Sequence, residues 1–127
     1  MSLIDIIHRN QFLKELFPDG LNDDILIGQI GLDVDGMFSL NLHTTQAAVK
    51  EVSKWGERSK DYNVIVIKLL GTHLTDLKTT NWTNIAPAKL SLSMEGDSIR
   101  LSCSGTAWSF SASFETLTFQ SCSTYLL

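Results

Sequence analysis

Residues 24–44 read DILIGQIGLDVDGMFSLNLHT, and the architecture follows from how this stretch pairs with itself. Two apolar-alternating runs flank Asp35-Gly36, a dipeptide that favours a tight hairpin turn. In the first run the expected core face is Leu26, Ile30 and Leu32, with Gly28 between them; in the second it is Phe38, Leu40 and Leu42. All of these positions are even. Facing residues then share one side of a sheet only if the loop joining them has an odd length. A three-residue loop, Val34-Asp35-Gly36, with Gly36 in the left-handed bulge position, sets Leu32 opposite Phe38 and Ile30 opposite Leu40. The other face carries Gln29, Asp33, Ser39, Asn41 and His43.

On the N-terminal side of this hairpin, residues 2–17 read as a helix. Ser2 is a suitable N-cap and Asp5 lies near the positive end of the dipole. Leu3, Ile6, Ile7, Leu13, Leu16 and Phe17 recur at helical spacing, and Asn10 marks a possible break into two shorter pieces. Pro18-Asp19-Gly20 stops the helix. On the C-terminal side, residues 46–55 suggest a short helix burying Ala48, Val52 and Trp55. Residues 62–70, YNVIVIKLL, form an almost unbroken β-branched run, as expected of a central strand covered on both faces, with the N-terminal helix as one cover. Residues 71–88 carry little regular signal beyond a short strand near 73–77.

From Pro87 onward the chain reads as a meander. Leu90, Leu92 and Met94 are even, whereas Ile99, Leu101 and Cys103 are odd, so an even loop is required. Gly96-Asp97 supplies it and sets Met94 opposite Ile99 and Leu92 opposite Leu101. Gly105-Thr106, read as a second two-residue loop, pairs Cys103 with Trp108 and Leu101 with Phe110. Between Phe114 and Leu117 the parity flips without Gly or Pro, which marks a bulge or bend near Glu115-Thr116. Ser109, Ser111 and Ser113 face outward. The expected fold is α+β: an N-terminal helix packed on a curved, mainly antiparallel sheet of about six to eight strands, ending in a meander.

At 127 residues the chain is most simply one domain, 1–127, large enough for a core of its own. It is 43% hydrophobic and 19% charged, ordinary values for a globular protein rather than a disordered one. Its 14 acidic and 10 basic residues give a net charge of −4, a poor complement to a phosphate backbone, so nucleic acid is not an expected partner. No run approaches the roughly 18 apolar residues of a membrane span. The N-terminal MSLIDIIHRN does not read as a secretory signal. The expectation is a cytoplasmic protein with Cys103 and Cys122 as free thiols.

Motifs for chemistry are absent. His8, His43 and His73 are scattered outside any metal-ligand spacing, and there is no Cys-x-x-Cys. Asp33-x-Asp35-Gly36 lacks the further ligands of a calcium loop. No nucleophile elbow, phosphate loop or dinucleotide fingerprint occurs. The expectation is therefore no metal, no cofactor and no catalysis. What remains is surface: Asp19, Asp23, Asp24, Asp33 and Asp35 fall between residues 19 and 35 with no Lys or Arg among them. They are the candidate partner-binding residues, although turn and strand-flanking roles suit each of them as well. The basic stretch 50–60, with Lys50, Lys54, Arg58 and Lys60, is the opposite-signed candidate.

The helix ending in Phe17-Pro18, Asp23-Asp24, the hairpin at Asp35-Gly36, Lys54-Trp55, the strand at 62–70, Trp82 and the meander together resemble small bacterial immunity proteins. The likeness is to those of polymorphic-toxin and contact-dependent inhibition systems, of the immunity-protein-fifty type. The resemblance implies a protein that binds one cognate toxin domain and blocks it, with no catalytic residues of its own. An acidic surface suits a basic toxin such as a nuclease. The alternatives are a structural or oligomerisation module using the serine-rich sheet face, and a small hydrolase whose site assembles only in space.

Overall fold

The computed structural model describes residues 2–127. Helix α1 (Leu3–Ile6) begins as the sequence predicts: Ser2 Oγ accepts from the Asp5 amide at 3.4 Å and donates to the Asp5 carboxylate at 2.8 Å. The helix then breaks earlier than Asn10. Arg9 takes a φ of 60°, and Ile7–His8 form a short strand, β1. Adjacent Ile6 and Ile7 are poor helix formers, and Ile7 is buried at a sheet edge instead. Asn10 ties the two helical pieces together, its side-chain amide donating to the Ile4 carbonyl at 2.8 Å. Helix α2 (Gln11–Leu16) ends just before Pro18.

Strands β2 (Ile25–Leu32) and β3 (Phe38–Thr44) make the expected hairpin, with Leu32 opposite Phe38 and Ile30 opposite Leu40. Gly36 has a φ of +76°. One part of the parity reading is overturned. Ile25 and Ile27, not Leu26, are buried, and Leu26 lies on the outward face opposite His43. The register slips by one residue between Ile27 and Gln29, so Gly28 is an extra residue in β2 and inverts the alternation before it. Leu32 stays on the core side of the sheet but extends past the core, 66% exposed.

The expected helix at 46–55 reduces to one 3-10 turn, Ser53–Trp55, which still buries Trp55. Strand β4 (Val64–Thr72) is central, between β3 and the last strand. After it come β5 (Asp76–Thr80), β6 (Ser91–Glu95), β7 (Ser98–Ser104), β8 (Ser109–Phe114) and β9 (Thr116–Tyr125). The Gly96-Asp97 turn holds, with Met94 opposite Ile99 and Leu92 opposite Leu101. The next loop has two residues but sits one position later than expected. Cys103 pairs with Phe110 and Ser104 with Ser109, and the Gly105 amide donates to the Trp108 carbonyl at 3.0 Å, leaving Thr106-Ala107 as the loop. Each pairing partner thus moves by two residues, which preserves parity, and Trp108 explains it: its indole folds back over Gly105, where a Cβ would stand 2.1 Å from Nε1.

About half the chain is strand, and the helices are few and short. The strands form two sheets rather than one, ordered β1-β9-β4-β3-β2 and β5-β8-β7-β6. The parity flip at Glu115 is where the chain passes from one sheet to the other. A neighbouring strand pair does the same: β4 leads into β5 across residues 73–75. The two crossings are bonded together, Glu115 N to Thr72 O at 3.0 Å and Thr75 N to Ser113 O at 2.9 Å. Elsewhere, Ile25 and Ala88 exchange backbone hydrogen bonds at 2.9 and 3.1 Å, linking β2 to the segment before β6. Buried residues of both sheets and of α2 form one core, with Phe38 of the first sheet 5.4 Å from Phe114 of the second, ring centre to ring centre.

Candidate functional site

All five candidate acids are exposed, but they do not form one surface. Asp19, Asp23 and Asp24 precede β2, whereas Asp33 and Asp35 follow it. The intervening strand has eight residues, which at roughly 3.3 Å per residue holds the two groups about 26 Å apart. Strand formation therefore undoes the clustering seen in sequence.

At the hairpin tip, Asp33 Oδ1 accepts from the Val34 amide at 2.7 Å. The Leu74 amide donates to the Gly36 carbonyl at 2.9 Å, anchoring the tip against the crossing between sheets. Beside that anchor, His73 Nδ1 and Glu115 Oε2 are 3.1 Å apart. Leu32, Val34 and Met37 are 66%, 73% and 44% exposed here, interspersed along a six-residue tip with the carboxylates of Asp33 and Asp35. An exposed apolar group with a polar rim suits contact with another protein.

At the opposite end of β2, one side chain organises the acidic turn. Gln46 Oε1 accepts from the amides of Asn22 and Asp23 at 2.7 and 3.1 Å, while its Nε2 donates to the Gly20 carbonyl at 2.9 Å. The Lys89 ammonium donates to the Asn22 carbonyl and lies 3.8 Å from the Asp24 carboxylate. Next to this turn is a cleft of about 430 Å³ on the outward face of the first sheet. One wall is His43, whose Nδ1 is 2.8 Å from the Tyr125 hydroxyl, the rings meeting edge to face at 5.5 Å. The imidazole lies over Gly28, where a Cβ would fall 2.2 Å from Nε2. Burial lowers the His43 pKa from its ordinary value and favours the neutral ring. Alternation places His43 on the outward face, but nothing in the sequence points to Tyr125 and Lys89 as lining a cleft with it.

The basic stretch is engaged locally. Lys50 pairs with Glu15 at 3.0 Å, and the Arg58 guanidinium donates to the Thr45 carbonyl. On the serine-rich face, Arg100 reaches Ser111 at 3.2 Å, Ser113 at 3.4 Å and Asp76 at 3.6 Å. Its cation is thus used within the sheet. Cys103 and Cys122 are free thiols, raised by burial to about 11 and about 12 respectively, with Lys54 partly opposing the shift at Cys122. Among the described residues no three His, Cys, Asp or Glu side chains come together as a metal site, and no helix is long and apolar enough to cross a membrane. Compared with known proteins, the chain matches no family model, no curated protein and no solved structure.

Proposed function

We propose that this protein is a cytoplasmic immunity protein that binds a cognate toxin domain and blocks it by covering its working surface, without catalysis of its own. The observation that carries this reading is the hairpin tip, where exposed Leu32, Val34 and Met37 alternate along the chain with the carboxylates of Asp33 and Asp35. Apolar side chains supply desolvated contact area, and flanking carboxylates steer a basic partner and set its orientation. The family resemblance agrees with this reading. The tip is braced by the Leu74–Gly36 hydrogen bond, so little ordering cost falls on the binding step. The serine-rich face favours an assembly role less, because Arg100 already satisfies two of its hydroxyls.

The test is association with the co-produced toxin domain, followed by stopped flow. Asp35→Lys should slow association about tenfold at low salt, because steering acts through the summed field. Near 1 M salt the difference should shrink, as the Debye length falls to about 3 Å. Val34→Ser should instead speed dissociation, since contacts at the interface core govern the off-rate. Failure of the toxin domain to bind, or rates unmoved by both variants, would remove the tip as the recognition surface.

A further inference from the structure

We propose that the cleft beside His43 and Tyr125 binds a cation carried on an apolar stem, an alkyl guanidinium or alkyl ammonium group, with the stem over Leu26 and the charged head at Asp23. The cleft lies at the far end of β2 from the hairpin tip, so it is a second site and not part of the toxin surface. Its volume of about 430 Å³ falls within the range of ligand pockets, roughly 300–1,000 Å³. Leu26, and behind it the almost fully buried Val64, supply apolar lining on the sheet side. Both point outward, since Val64 pairs with Tyr125 and Leu26 with His43 on the face away from the core.

The polar groups favour a cation. Two carboxylates, Asp23 and Asp24, line the rim and one ammonium, Lys89, opposes them. Lys89 is turned to the Asn22 carbonyl and to Asp24. Among the described residues Asp23 has no ion-pair partner. The Asp23 backbone is fixed by the Gln46 clamp, and the His43 ring is fixed between Gly28 and the Tyr125 hydroxyl. The site is therefore preformed, and binding does not have to order it. His43 presents a neutral wall that does not repel a cation.

The experiment is a titration of the whole protein at neutral pH, read by the ring resonances of His43 and Tyr125, with no partner protein present. The probes are agmatine, arginine capped at both ends, and capped citrulline, which has the same shape without the charge. The two cations should shift both rings saturably, and citrulline should bind at least about tenfold more weakly. Asp23→Asn should weaken the cations by a similar factor, about tenfold. Lys89→Gln should tighten them, and Asp35→Asn should leave them unchanged. Tighter agmatine than capped arginine assigns the site to a free amine; the reverse assigns it to a peptide side chain. Equal binding of arginine and citrulline, an unaffected Asp23→Asn, or no saturable shift would overturn the proposal. None of these outcomes depends on the toxin reading.

Discussion

His43 rests where the neighbouring strand has no side chain, and that one contact explains Gly28, the bulge and the local titration together. A methyl group at Gly28 would overlap the imidazole, so the glycine is a steric requirement. Because burial lowers the His43 pKa, the unfolded chain binds a proton more readily than the folded protein there. The resulting stabilisation is fully present above the unfolded value of about 6.5 and is lost as pH falls through the folded value. Thermal melts from about pH 8 to about pH 5 should therefore show a steeper fall in Tm for the native protein than for His43→Gln, which keeps a polar group but cannot titrate. Parallel profiles would show that the ring is as solvated folded as unfolded. The thiols obey the same physics with the opposite sign of shift. With values near 11 and 12, Cys103 and Cys122 hold little thiolate at mild pH. Maleimide labelling of the native protein should be on the order of 100-fold slower than labelling of the unfolded chain. Rapid native labelling of Cys103 would contradict its place in the core.

Among the elements, turns separate what alternation predicts from what it misses. The loop at 34–36 and the turn at Gly96-Asp97 follow from parity, because each places apolar residues of two strands on one face through a short local connection. The turn at 105–108 does not, because two-residue loops at 105–106 and at 106–107 satisfy the same parity, and the packing of Trp108 on Gly105 goes with the later one. Trp108 is buried, so Trp108→Ala should cost about 3–5 kcal/mol in denaturant unfolding. A change within about 0.5 kcal/mol, as at ordinary surface positions, would mean that the indole does not support the turn. The Gln46 clamp is the counterpart at the acidic turn. Gln46→Ala should cost about 1 kcal/mol, since water can replace exposed hydrogen bonds, and should speed amide exchange at Asn22 and Asp23. Unchanged exchange would show that the turn is held by its own backbone.

At the scale of the molecule, two sheets share one core and two neighbouring strand pairs cross between them together, so neither sheet can open alone without exposing Phe38 or Phe114. Unfolding should be a single transition. Tryptophan fluorescence and far-UV circular dichroism of the unsubstituted protein should report the same midpoint; separated midpoints would mean that the sheets fold independently. The hairpin, its three-residue loop, the central strand, expected at 62–70 and found at 64–72, and the bend near Glu115 were all legible along the chain. They depend on period-two alternation and turn chemistry, which act over a few residues. The division into two sheets and the inversion at Gly28 were not. Each arises from contacts between residues far apart in sequence, as between His43 and Tyr125, 82 positions apart. Alternation sets which face a side chain takes, but only the packing of distant strands sets what that face meets. The same eight-residue strand that makes the hairpin recognisable in sequence carries its acids to opposite ends of the molecule, leaving an apolar tip at one and a preformed cleft at the other.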